Sequence, residues 1–189
     1  MNKWITAFVA APVLAAASAA IAPKAFGRDV AHSQINFVAE SQLVDAHGTF
    51  DSWDATIMFD AEKVEASSVV ITIDAKSINT RIAQRDNHLK SNDFFATDSF
   101  PQITFKSTII NKLADDRVNI TGDLTMRGRT KTITIPTRLT QVNAERNVWR
   151  VKGTTVINRE DFGVSYQSAM NKISSEVQLQ FDIAFGEKK

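Results

Sequence analysis

The sequence predicts an all-β fold, an extended antiparallel barrel of about eight strands with one short inserted α-helix. Three observations predict it. Apolar residues alternate with polar ones over long runs, as they do in strands with one buried face. Short polar turns separate those runs, so successive strands pair as hairpins. One stretch breaks the pattern, from Ser77 to Ser107, SINTRIAQRDNHLKSNDFFATDSFPQITFKS. It holds a short polar helical run, an Asp93-Phe94-Phe95 knuckle and a Phe100-Pro101 break. Set between amphipathic strands, it reads as a lid or plug on a β container.

The 189 residues suit one domain with a sizeable core. Residues 1–22 read as a secretory leader and 23–189 as the barrel domain. Lys3 is a short positive start, and the run from Trp4 to Ala17 is apolar apart from Thr6 and short for a bilayer span. The small residues from Ala17 to Ala22 offer a cleavage site, preferably after Ala20 because Pro23 follows Ala22. The competing reading of this segment is an uncleaved membrane anchor. The chain has no cysteine, so no disulfide and no lipid-modified cysteine enters the expectation, which is a periplasmic or secreted protein. Removing Lys3 with the leader leaves 21 basic residues against 21 acidic ones. That balance, taken over the whole chain, gives no electrostatic argument for nucleic acid or for an anionic membrane surface.

Ser33 to Glu40 alternates, with Ile35, Phe37 and Ala39 on one face. After a turn at Asp45-Ala46-His47-Gly48, Thr49 to Asp60 carries Phe50, Trp53, Ile57 and Phe59. Its apolar parity shifts between Phe50 and Trp53, which predicts a bulge or bend. Ala61 to Ser67 is a charged connection of about one helical turn, and Ser68 to Ile78 is the third strand. The helix follows over Thr80 to Lys90, with Asn79 or Thr80 able to cap it. Ile82, Asp86 and Leu89 share one face of it. Being short and polar, it needs the barrel to hold it. Strands then run over Gln102 to Lys112, Arg117 to Met126, Thr130 to Val142, Val148 to Asn158 and Ile173 to Phe185. Pro136 points to an edge or bulge position, because proline has no N–H for a ladder.

Catalytic and metal chemistry find little support in these residues. His32, His47 and His88 have no metal-ligand spacing. There is no Gly-x-Ser-x-Gly elbow. Asp86, Asp93 and Asp161 leave a paired-carboxylate hydrolase open, but they read more simply as caps and partners, Asp93 on a final turn and Asp161 with Arg159.

Several motifs together resemble the YceI-like family. They are Asp29-Val30-Ala31-His32-Ser33, Gly48-Thr49-Phe50, the run Arg85 to Phe95 (RDNHLKSNDFF), Phe100 to Phe105 (FPQITF), Gly122 to Gly128 (GDLTMRG) and Asn158 to Val164 (NREDFGV). They stand in the family's order across nearly all of residues 23–189. The resemblance implies a lipocalin-like barrel with a helix near one end. It further implies a periplasmic, non-enzymatic protein that holds a polyisoprenoid or related long-chain amphiphile, such as an isoprenoid quinone, often as a homodimer. A transient membrane contact and no covalent cofactor go with that expectation.

Such a ligand would replace side chains as core, each buried methylene contributing about 0.8 kcal/mol before ordering costs. The candidate ligand-binding residues are Phe37, Phe50, Phe59, Ile71, Ile73, Phe105, Leu124, Met126, Leu179, Phe181 and Ile183 on strands. Phe94, Phe95 and Phe162 join them from irregular segments. Phe94 and Phe95 are too apolar for an exposed loop and should plug the barrel or line its entrance. Arg81, Arg85 and Lys90, or Arg127, Arg129 and Lys131, could meet a charged head group. Two other readings stay open: a stress-related structural or interaction module whose barrel is filled by its own side chains, and an enzyme acting on such a lipid.

Overall fold

The computed structural model describes residues 22–187, so residues 1–21 of the expected leader lie outside it. Eleven strand segments form one antiparallel sheet. They are β1 (Lys24–Arg28), β2 (Gln34–Ser41), β3 (Ala46–Phe50), β4 (Trp53–Phe59), β5 (Ser68–Asp74), β6 (Ile78–Asn79), β7 (Gln102–Ala114), β8 (Arg117–Met126), β9 (Arg129–Asn143), β10 (Val148–Asn158) and β11 (Ile173–Glu187). The helix α1 spans Ala83–Lys90.

The first six segments combine into three interrupted strands. Both β1 and β2 run along β11, with Arg28 opposite Phe185 and Gln34 opposite Asp182. In the same way β4 pairs with β1, and β3 pairs with β2. A 3₁₀ turn at Ala75–Ser77 separates β5 from β6. The result is a closed eight-stranded antiparallel barrel with one helix. Closure comes from β1, which pairs with both β4 and β11 and leaves that part of the sheet without an edge.

The parity shift between Phe50 and Trp53 is the break at Asp51-Ser52 between β3 and β4. Two boundaries differ from the sequence reading. The expected third strand is cut at Ala75–Ser77, where the Asp74 side chain accepts from the Lys76 N–H and turns the chain. The strand β1 was not expected, because KAFGR carries a single large apolar side chain and shows no period. Pro136 is not on an edge, since β9 lies between β8 and β10. The ladder from β9 to β10 runs up to Thr137 opposite Gly153, the residue next to Pro136. The missing N–H therefore falls where that ladder stops.

The two ends of the barrel differ. At the end holding the 144–147 turn, Lys24 and Glu187, the rings of Phe26, Phe59, Phe185 and Trp149 pack edge to face. Their ring centroids lie 4.9–5.8 Å apart. Such pairs add about 0.5–1.5 kcal/mol each beyond burial. They stop that end with the protein's own side chains. The opposite end carries α1, the aromatic knuckle, the Arg127-Gly128 turn and the segment from Arg159 to Lys172.

Candidate ligand-binding cavity

Between the aromatic stopper and α1 the barrel holds a cavity of about 620 Å³. That is within the roughly 300–1,000 Å³ of sites that bury small ligands. The barrel is thus not filled by its own side chains. Of the predicted residues, Phe37, Phe50, Ile71, Ile73 and Phe105 line the cavity from the first half of the barrel. Leu124, Met126, Leu179 and Phe181 line it from the second half, and Phe94 and Phe95 line it from the lid.

Three predicted residues lie elsewhere. Phe59 and Ile183 face a separate void of about 80 Å³ at the stoppered end. They have the inward parity of cavity residues but the wrong height along the barrel axis, which alternation does not report. Phe162 is only 1% exposed and packs outside the cavity lining. It sits in a 3₁₀ turn that ends at left-handed Gly163, and no periodicity marks where such a residue points.

Other residues line the cavity without having been among the candidates. Ile35 shares the parity of Phe37, and Ile133 and Ile135 alternate on β9, so their signal was present. Tyr166 and Val164 come from an irregular segment without a period.

The helix α1 has no buried residue, so the lid is held by polar contacts together with the packing of Leu89, Phe94 and Phe95 on the core. Thr80, 4% exposed, was expected as a cap. Instead the Asp86 carboxylate accepts from both the Thr80 N–H (2.8 Å) and its hydroxyl (2.6 Å). Arg85 donates to the same hydroxyl (2.8 Å) and to the Thr80 carbonyl (3.1 Å). Ile82 stands at the N-cap position without a side-chain cap. Asn79 spends its side-chain oxygen on the Arg81 N–H (2.9 Å), at a residue with φ 64°. Asp93 does not cap a turn with its carboxylate but faces His88 Nε2 at 3.0 Å. The His88 ring also meets Phe94 and Tyr166 edge-on, with centroids 5.0 and 4.9 Å away.

Arg127 ties the lid to the rest of the rim. Its guanidinium donates to the carbonyls of Phe94 (2.8 Å), Gly163 (2.6 Å) and Asn92 (2.7 Å). That engagement takes it away from the head-group role considered for it. Arg129 packs against Gly163, where a Cβ would come within 3.1 Å of its Cζ. Of the six basic residues considered for that role, Arg85 lines the cavity. Arg159, expected to pair with Asp161, lines it too. It is 4% exposed and donates to the carbonyls of Ser174 (2.8 Å), Ile173 (3.2 Å) and Val164. Its salt-bridge partner is Glu160 at 3.8 Å. Burial pushes its guanidinium below the ordinary arginine range.

Among the described residues, no three His, Asp or Glu side chains gather as a metal site. His32 turns its ring to the Asp29 carboxylate (2.8 Å). Among the described residues no carboxylate lines the cavity, whose walls are aliphatic and aromatic with Gln84, Arg85, His88, Arg159 and Tyr166 near the lid and Ser41, Ser168 and Asn171 also lining it. These surroundings can desolvate an apolar chain and offer donors to one polar end.

A closed antiparallel barrel around one deep apolar cavity, stoppered at one end and lidded at the other, defines a container protein. The chain belongs to the YceI-like family, whose domain profile matches residues 26–185. A UPF0312 protein of Pseudomonas savastanoi pv. phaseolicola is 32% identical over 179 residues, 92% of this chain and 90% of that one. Protein YceI of Escherichia coli O17:K52:H18 is 38% identical over 128 residues, covering 67% and 66% of the two chains. The crystal structure of Burkholderia cenocepacia BcnA superposes with a TM-score of 0.77 at 27% identity, over 83% of this chain and 98% of that one. A polyisoprenoid binding domain from Saccharophagus degradans, implicated in plant cell wall breakdown, shares the fold. Its TM-score is 0.68 at 17% identity, over 87% of this chain and 99% of that one.

Proposed function

We propose that the protein is an exported, periplasmic carrier that holds a polyisoprenoid or related long-chain amphiphile, such as an isoprenoid quinone, inside the barrel. It acts by binding and release, without covalent cofactor and without catalysis, and works as a homodimer. The observation that carries the reading is the apolar cavity of about 620 Å³ under the lid. A protein whose barrel served only as a scaffold gains stability by filling that space, since unfilled core volume costs about 24 cal/mol per Å³. A long apolar chain fills it without such loss. Family membership and the fold shared with a domain described as polyisoprenoid-binding support the same reading.

The test is extraction of protein purified from its native compartment, followed by mass spectrometry of the organic phase. A stoichiometric isoprenoid is the expected result. Protein that is lipid-free from every source, and that takes up neither a prenol nor a quinone in vitro, would falsify the carrier reading. N-terminal sequencing of the same sample should find a start between Ala19 and Ala25. Light scattering should give twice the chain mass.

A further inference from the structure

We propose that the protein docks onto an anionic bilayer surface through one side of its cavity mouth, the side formed by the β2–β3 loop, the segment before α1 and the segment before β11. The inference rests on the carrier reading for its purpose, but its physical basis is separate.

The rim has two unlike sides. On one, Arg127 bonds three carbonyls from two segments and latches the knuckle and the Gly163 turn together. On the other, large apolar side chains stand in water. Leu43 is 72% exposed, Val44 67%, Ile82 51% and Met170 85%. They come from three separate segments that the fold brings to one place. The Leu43 N–H donates to Asn171 Oδ1 (3.1 Å), and Asn171 Nδ2 donates to the Ser41 hydroxyl (3.3 Å). Met170 is the neighbour of Asn171, and its N–H is bonded to Ser168 (3.2 Å). Val44, Ile82, Ser168 and Asn171 all line the cavity. The exposed apolar rim is therefore continuous with the apolar interior.

Single exposed apolar residues are ordinary, but a group around the opening of an apolar cavity marks an interaction surface. Its charges favour a negative partner. Arg81 and Lys172 stand exposed on these segments, and the one carboxylate on them is Asp45, which accepts the Ser41 N–H at 3.1 Å. Apolar tips with basic neighbours suit the boundary between head groups and acyl chains. Seated there, the mouth lets a lipid tail pass between bilayer and barrel without crossing water.

The test uses protein freed of the N-terminal segment that precedes the barrel. It is mixed with phosphatidylglycerol–phosphatidylcholine vesicles and with pure phosphatidylcholine vesicles. Lipid-free protein should sediment with the anionic vesicles, and added salt should weaken the association. The paired substitution Leu43→Ser with Met170→Ser touches neither cavity lining nor core. It should cut partitioning by about tenfold or more. It should also slow transfer of a fluorescent prenol to the vesicles, while the amount of prenol held at equilibrium stays unchanged. The control pair Ile109→Ser with Val156→Ser removes exposed apolar groups (62% and 54%) from the barrel wall and should change neither. Unchanged partitioning in the Leu43/Met170 pair, or an equal loss in the control pair, overturns the proposal. If wild-type protein partitions but holds no prenol, docking stands and the carrier reading fails. If it holds prenol but does not partition, docking fails alone.

Discussion

Phe94 and Phe95 are neighbours in the chain with different surroundings, and truncating each separates support of the lid from support of a ligand. Phe94 is 7% exposed and packed between His88 and Tyr166, each ring centroid 5.0 Å away. Phe94→Ala should cost about 3–5 kcal/mol, as core phenylalanine truncations do. Phe95 is only partly buried. Its ring meets Phe50 edge-on at 6.1 Å and otherwise faces the cavity. With empty space already on one side, Phe95→Ala removes little packing from the lipid-free protein, about 1–2 kcal/mol. When the cavity is occupied, the same ring covers the lipid. Losing that contact should weaken retention by about tenfold, equivalent to about 1.4 kcal/mol. Urea unfolding of lipid-free protein gives the first quantity, and native mass spectrometry with a prenol gives the second. A loss of 3–5 kcal/mol in lipid-free Phe95→Ala, with retention unchanged, would refute the assignment of this ring to the ligand wall.

Three further outcomes follow from single contacts. A Cβ at Gly48 would lie 2.3 Å from Phe37 Cζ and 3.0 Å from Thr80 Cγ2, so Gly48→Ala should force the Phe37 ring to move. Prenol capacity, measured by titration, should fall more than the melting temperature. Arg127→Met leaves three carbonyls without their donor and should destabilise by about 2–4 kcal/mol, with faster amide exchange around Asn92 to Phe94 and at Gly163. Asp182 is held below the ordinary carboxylate range by its hydrogen bonds to Arg150, with Lys152 adding to the effect against some desolvation. A depressed folded-state pKa stabilises the fold above the unfolded-state carboxylate value. That contribution is lost as pH falls through the folded value, so it disappears in the acid range below about pH 4. Urea midpoints measured down that range should fall less steeply in Asp182→Asn than in the wild type.

Period-two alternation determined much of the architecture from the sequence alone. It marked the strands, their inward faces and the bend between Phe50 and Trp53, because a residue's parity decides which face of a pleated strand it occupies. The same property marked the segment around Arg85 to Phe95 as foreign to the barrel. Alternation carries no information about height along the barrel axis. Phe37 and Phe59 look alike in the sequence, yet one lines the cavity and the other belongs to the stopper. The stagger between strands on closing the ring sets that height, and it is a property of all eight strands together. Contacts between irregular segments were equally invisible. Arg127 reaches Phe94 and Gly163 across 33 and 36 residues of chain, and Arg159 turns from its neighbour Asp161 to three carbonyls. Only the tertiary structure decides such pairings. A flexible cation can reach many acceptors, and it is the closed barrel that determines which carbonyls stand within hydrogen-bonding distance.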